Sequence, residues 1–277
     1  MKTKLVALAV AGALASPLFV GKAVAADKSP HSFTGNVTLA SQYIYRGIAQ
    51  TRGKPALQGG FDYAHSSGFY AGVWASNISW ISDAIAGASS SLEVDVYGGY
   101  KGAITDDFGF DVGVLTYNYP GSGKTLAGTQ ELKQDTTEVY GAISWKWLTL
   151  KYSHSTTALF GWPKNPGALT DKTSGSGYLE LNAAYDLGNG WGINGHVGRQ
   201  KVKGNADASY TDYRVGVTKD LGFGVIGATY STTNAKDSCS GNAAATAQDV
   251  YCFVKHDGSS AYSAGKGALV VTFGKTF

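Results

Sequence analysis

The sequence predicts an all-β chain: a transmembrane up-and-down antiparallel β-barrel of about twelve strands, preceded by a cleaved signal peptide. Three observations predict it. Apolar and polar residues alternate with a period of two along about twelve segments. The connections between those segments alternate between long and short. The composition is rich in glycine, 38 of 277 residues, and in aromatics, 12%, yet only 16% of the chain is charged. That balance excludes a disordered chain. Two cysteines with no CxxC spacing exclude a disulfide-rich miniprotein and give no sign of a zinc site.

The first element is a targeting segment. Residues 1–26 carry Lys2 and Lys4 ahead of an apolar run from Leu5 to Val20, and Ala23-Val24-Ala25 is a small-residue cleavage pattern. This is the layout of a secretory signal peptide, leaving 27–277 as a single barrel domain. The segment holds Lys2, Lys4 and Lys22 and no acid, so its removal leaves 20 basic against 20 acidic residues. A chain of zero net charge lacks the basic footprint that nucleic acid requires. No later stretch is apolar for long enough to form a membrane helix.

The strands follow in order: 33–45, 55–65, 68–80, 90–101, 108–119, 136–147, 148–160, 177–187, 190–201, 208–219, 222–233 and 264–277. Val37 and Leu39 alternate with Asn36 and Thr38. Leu92, Val94 and Val96 alternate with Glu93 and Asp95. Leu179, Leu181 and Tyr185 alternate with Glu180, Asn182 and Asp186, and Val271 and Phe273 alternate with Thr272 and Gly274. Such a pattern gives each strand one apolar and one polar face. Strands of about ten or more residues exceed the usual soluble length and match a tilted membrane crossing. In 68–80 the face is ambiguous, because Phe69 and Val73 compete with Tyr70 and Trp74.

The odd connections are long: 46–54, 81–89, 120–135, 161–176, 202–207 and 234–263. The even ones are tight, such as Gly188-Asn189-Gly190 and Asp220-Leu221. Short turns at one end and long loops at the other are the asymmetry of outer-membrane barrels, and an even strand count puts both termini on the short-turn side. Two aromatic girdles are expected: Tyr43, Tyr45, Trp80, Tyr117, Tyr119 and Tyr178 at the outer interface, and Phe69, Trp145, Trp147, Trp191, Phe273 and Phe277 at the inner one. The first and last strands must pair, because lipid offers nothing to an open sheet edge.

Several stretches resemble one family. YIYRGIAQT (43–51), PALQGGFDYAHSSGFYAGVWASNISW (55–80), WKWLTLKYSHSTTALFG (145–161), GYLELNAAYDLGNGWGINGHVGRQ (177–200), YTDYRVGVTKDLG (210–222) and the terminal GKTF are similar to the TorF-type porin family of Gram-negative bacteria. The resemblance spans nearly all of 27–277. It implies a bacterial outer-membrane barrel with a transport role, and it carries over no catalytic residue. Phe277 matches the phenylalanine with which such barrels commonly end.

A twelve-stranded lumen lies between the side-chain-filled interior of eight strands and the water channel of sixteen. Parity turns Arg46, Asp62, Glu93, Asp95, Asp111, Glu138, Lys146, Lys151, Glu180, Asp186, Asp212 and Arg214 inward, eight acids against four bases. Lumen charge sets ion preference, so the expectation is a porin-like channel for small polar solutes or ions with a weak cation preference. The alternative use of these charges is mutual salt bridging across the lumen. Cys239 and Cys252, in the longest loop, are expected to form a disulfide after export. That loop is also a candidate to constrict the mouth.

The sequence offers two rival functions. Lipid-modifying barrel enzymes place a histidine and a serine two apart on one strand. Here His154 has Thr156 at that spacing and Ser155 beside it, with no third group to orient a base. No enzyme activity is expected, and no cofactor or metal. A plugged barrel with a surface-binding or structural role is the other rival. The expected partners are outer-membrane lipid and small solutes, and the oligomeric state is left open.

Overall fold

The computed structural model describes residues 29–84, 88–123, 133–164 and 172–277. The targeting segment expected at 1–26 lies outside them. Twelve strands form one closed antiparallel barrel: β1 His31–Ala40, β2 Ala56–His65, β3 Phe69–Asn77, β4 Leu92–Ala103, β5 Phe108–Asn118, β6 Thr136–Trp145, β7 Leu148–Ser155, β8 Gly177–Gly188, β9 Trp191–Lys201, β10 Tyr210–Asp220, β11 Val225–Thr233 and β12 Ala268–Thr276. Each pairs with its sequence neighbours. β12 also pairs with β1, from Asn36↔Thr276 to Ala40↔Thr272, so no edge remains open. A five-residue helix, α1 (Trp80–Ala84), follows β3. Among the described residues no helix is long and apolar enough to cross a membrane.

The alternation in the sequence becomes the two faces of the wall. Leu39, Leu57, Val96, Ile143, Leu150, Leu181 and Val215 are exposed on the outside. Thr38, Gln58, Asp95, Glu138, Lys151 and Asp212, on the opposite parity, are buried inside. Apolar residues out and polar residues in is the reverse of a soluble sandwich, and it suits a wall with lipid behind it. In β3, Phe69 and Val73 point out, while Trp74 is buried inside.

The tight turns have local causes. β6 and β7 are joined through Lys146 at φ 52°, and β8 and β9 through Gly188, Asn189 and Gly190 at φ 81°, 52° and 77°. These left-handed conformations are those of primed hairpin turns, which glycine and asparagine adopt readily.

Two expectations are corrected. β1 stops at Ala40 instead of continuing to residue 45. Residues 44–45 and 48–49 form a separate two-residue ladder around Arg46 (φ 46°) and Gly47 (φ 78°), a primed turn that folds the chain back. The outer girdle is also not where it was expected. Tyr43, Tyr45, Tyr117, Tyr119 and Tyr178 are all buried inside the barrel, and Trp80 lies on α1, half-buried against Tyr119. The outward aromatics crowd the short-turn rim, where Phe69, Trp145, Trp147, Trp191, Phe273 and Phe277 are exposed as expected. Towards the long-loop rim the exposed aromatics on the strands are Tyr152, Tyr213 and Tyr230.

Candidate functional site: the barrel lumen

The lumen has two unlike halves. Towards the short turns its wall is lined by small groups on β9 to β12, among them Gly192, Asn194, Gly216, Thr218, Gly227 and Thr229. Towards the long loops it is filled. The connection from β1 to β2 turns inward there, and every residue from Tyr43 to Thr51 is buried. Within this segment Gly47 packs so closely on Thr233 and Asp212 that a Cβ would collide with both.

Arg46, at the tip of the inward turn, is anchored on three sides. Its Nη1 and Nη2 donate to Glu138 Oε1 and Oε2 at 2.9 and 2.7 Å, and Nη1 also donates to Gln200 Oε1 at 3.0 Å. The guanidinium lies 4.1 Å from the Tyr178 ring centre. Glu138 is on β6, Tyr178 on β8 and Gln200 on β9, so one side chain ties the plug to three strands. A planar guanidinium suits this combination of fork and stack better than an ammonium would. Beside it, the Tyr43 hydroxyl donates to Glu93 Oε1 at 2.6 Å, and the hydroxyls of Tyr45 and Tyr117 hydrogen-bond each other.

Other inward groups form local pairs. His196 Nε2 lies 2.9 Å from Asp212 Oδ1, and its Nδ1 lies 2.7 Å from Asn182 Oδ1. The Tyr178 hydroxyl donates to Asp212 Oδ2 at 2.9 Å. The Tyr70 hydroxyl donates to Asp111 at 2.6 Å, and that of Tyr97 donates to Asp62. Lys151 Nζ sits 4.0 Å above the Tyr140 ring. Asp95 is fully buried beside this network, and neither of its oxygens has a hydrogen-bond partner among the described residues. Arg214 is half-buried, with an unpartnered Nε.

Of the twelve residues that parity placed inward, ten lie in the barrel interior: Arg46, Asp62, Glu93, Asp95, Asp111, Glu138, Lys151, Glu180, Asp212 and Arg214. Two do not. Lys146 is the exposed turn residue between β6 and β7, 3.6 Å from Asp107, because its strand ends two residues earlier than the alternation suggested. Asp186 is exposed at the short-turn rim, where its Oδ1 accepts from the Gly188 amide at 2.8 Å. Sequence reasoning missed the lumen tyrosines. Parity could have found several of them, since Tyr97 has the parity of Asp95, Tyr117 that of Asp111, Tyr140 that of Glu138 and Tyr178 that of Glu180.

The mouth is closed over by an apolar cluster of Ile48, Leu159, Val202, Ala208, Tyr210, Tyr251 and Ala264. Cys239 and Cys252 are joined by a disulfide in the 234–267 connection, with their Cα atoms 5.5 Å apart. This connection rests on the inward turn, and the Ala49 amide donates to the Ala264 carbonyl at 2.8 Å. The body inside the lumen is therefore the 43–51 segment, and the disulfide-bonded loop sits above it. His154 faces outward on β7, whereas Ser155 faces inward and donates to the Thr157 carbonyl at 2.6 Å. The two side chains lie on opposite faces of the wall. Among the described residues no group of three or more His, Cys, Asp or Glu converges as metal ligands would.

A solved structure shares the architecture, and two others superpose less closely. The KdgM porin superposes with a TM-score of 0.50 at 8% identity, covering 88% of this chain and 98% of that one. KdgM in complex with disordered oligogalacturonate gives 0.48 at 8% identity, with the same coverage of both chains. The NanC porin gives 0.44 at 9% identity, over 88% of this chain and 98% of that one. At such identities the likeness is one of fold. No curated protein sequence matches the chain. A family model described as "Bacterial protein of unknown function (Gcw_chp)" matches residues 24–257. That match spans most of the barrel, and the chain belongs to the Gcw_chp family.

Proposed function

We infer that the protein is exported by the segment at 1–26 and works in the bacterial outer membrane as a porin-like passive channel for small polar solutes or ions. The observation that carries this reading is a closed twelve-stranded wall, apolar outside, around an interior of buried charge. A structural barrel of this size has no need to bury eight ionisable lumen groups and to half-bury Asp62 and Arg214 beside them, each costly to desolvate. The long loops would face the exterior and the short turns the periplasm. A weak cation preference belongs to the same reading: the ten inward groups comprise seven acids and three bases, and lumen charge sets selectivity. The stretches that resemble TorF-type porins agree with it, and YIYRGIAQT is the segment that fills the mouth. Conduction then runs past residues 43–51 and requires them to yield.

The test is single-channel recording in a planar bilayer with a salt gradient. Discrete steps with a cation-leaning reversal potential are expected. Steps with anion preference would keep the channel and overturn the charge assignment. One observation favours a second reading, a plugged barrel with a binding role: all nine residues from Tyr43 to Thr51 are buried. Folded protein that stays silent, even when the Arg46 anchor is removed, would establish that reading in place of the channel.

A further inference from the structure

The outer wall carries one patch that neither transport nor barrel closure uses. On β7, β8 and β9 the cross-strand register lines up three outward rows. The lowest is Leu150–Leu181–Val197, wholly apolar. The next is Tyr152–Leu179–Arg199, and the row nearest the long loops is His154–Gly177–Lys201. The surface thus changes from hydrocarbon-like to cationic within two rows, or about 7 Å at two residues per row pair. Lys203, just beyond the end of β9, adds a third exposed cation.

Three details mark this patch off from ordinary rim polarity. Arg199 Nη1 donates to Thr211 Oγ1 at 3.0 Å, which holds the guanidinium against the wall. Arg199, Lys201 and Lys203 make no ion pair with any described acid. Gly177 leaves a gap in the top row that the Tyr152 hydroxyl enters, and that hydroxyl lies 3.4 Å from His154 Nδ1. At the same height other strands present neutral groups outward, such as Asn77, Thr116, Thr137 and Leu269. On the long-loop halves of the strands themselves the outward cations, Arg199 and Lys201, fall in this one sector, beside a band of apolar residues, at the level where a bilayer changes from acyl chain to headgroup.

We propose that Tyr152, His154, Arg199, Lys201 and Lys203 form a docking site for a phosphorylated glycolipid of the membrane leaflet on the long-loop side. This rests on the outer-membrane reading above. The acyl chains lie along Leu150, Leu181 and Val197, and the phosphates meet the cations. Arg199 and Lys201 stand two residues apart on one face, about 6.6 Å. A headgroup with a single phosphate engages one of them, whereas a headgroup with two or more engages the set. This assigns His154 a part in binding.

The test uses the full barrel in phosphatidylcholine nanodiscs, titrated with bisphosphorylated lipid A and read by native mass spectrometry. Each cation near a membrane surface contributes about five-fold to binding. The variant R199Q/K201Q/K203Q is therefore expected to bind about 100-fold more weakly, and monophosphorylated lipid A several-fold more weakly than the bisphosphorylated form. Lys133→Gln, elsewhere on the rim, leaves binding unchanged. Equal binding by the triple variant and the unaltered barrel, or by phosphatidylglycerol and lipid A, overturns the proposal. If the triple variant fails to fold, as judged by heat-modified gel mobility, Lys201→Glu alone takes its place with the same expectation of weakened binding. Conductance separates the two readings. Lost binding with intact channels fails the lipid site alone, and binding without channels fails the transport reading alone.

Discussion

Removing the Arg46 side chain is the sharpest test of the lumen. The guanidinium is 4% exposed and forms a two-pronged pair with Glu138, itself 2% exposed. Arg46→Ala leaves the Glu138 carboxylate buried without its countercharge. Cutting one partner of such a pair typically costs about 3–5 kcal/mol. The lost stacking on Tyr178 adds about 0.5–2 kcal/mol. The cost falls on the seated plug, because the barrel wall is held by its own ladders and Glu138 regains water when the plug leaves. At about 1.4 kcal/mol per decade, the combined cost raises the ratio of open to closed mouths by about 2.5 to 5 orders of magnitude. The assay is single-channel recording of both proteins, with heat-modified gel mobility to show that the barrel persists. Arg46→Ala should show a raised open probability, and Glu138→Gln should reproduce it in part. In the double variant the two effects should fall well short of additive, since both remove one interaction. An unchanged open probability in a folded Arg46→Ala barrel would refute the latch. Unfolding of the whole barrel would show instead that the segment is part of the wall's stability.

Further outcomes follow from the same geometry. Gly47→Ala places a Cβ against Thr233 and Asp212 at a backbone φ of 78°, so it should unseat the turn and raise conductance without removing any charge. Replacing both Cys239 and Cys252 by serine removes a cross-link worth about 3 kcal/mol for a loop of this length. Limited proteolysis should then cut within 234–267 faster, while the gel mobility of the barrel stays the same. In that loop the Thr246 hydroxyl and backbone amide both donate to Asp249, at 2.6 and 2.9 Å, and hold its carboxyl below the ordinary range. The resulting stability is present above the unfolded value of about 3.9 and is lost as pH falls through the lower folded one. Proteolysis of the loop should therefore rise in strong acid, and less so in Asp249→Asn. Asp237 acts in the opposite sense, because burial raises its carboxyl. The difference between Asp249→Asn and the unaltered protein isolates the Asp249 contribution.

The wall was legible because its cause is local. A period of two in Leu92–Val96 or Leu179–Tyr185 is dictated by which side of the sheet meets lipid, and no distant contact can alter it. Turn chemistry was equally local at Gly188-Asn189-Gly190. The lumen was harder to read. Tyr43 and Tyr45 continue the alternation of β1, so nothing in their spacing separates a strand from a segment that folds back at Arg46-Gly47. That distinction depends on Glu138, Tyr178 and Gln200, which lie far along the chain. Tyrosine adds a second difficulty. Its ring suits a membrane interface and its hydroxyl suits a buried acid, so a position near a strand end sent Tyr117 and Tyr178 to the girdle. Their parity with Asp111 and Glu180 pointed inward.

The crowding of outward aromatics at one rim has a consequence for how the barrel rides in its membrane. Rings at an interface resist vertical displacement, and Trp145, Trp147 and Trp191 all lie on the short-turn side. That side is the fixed footing. Where hydrocarbon thickness departs from the height of the apolar band, at a cost of fractions of a kcal/mol per Å, the other rim absorbs the mismatch. Thinning or thickening of the bilayer thus raises or lowers the loop-bearing mouth against the headgroups, while the vestibule below keeps its depth.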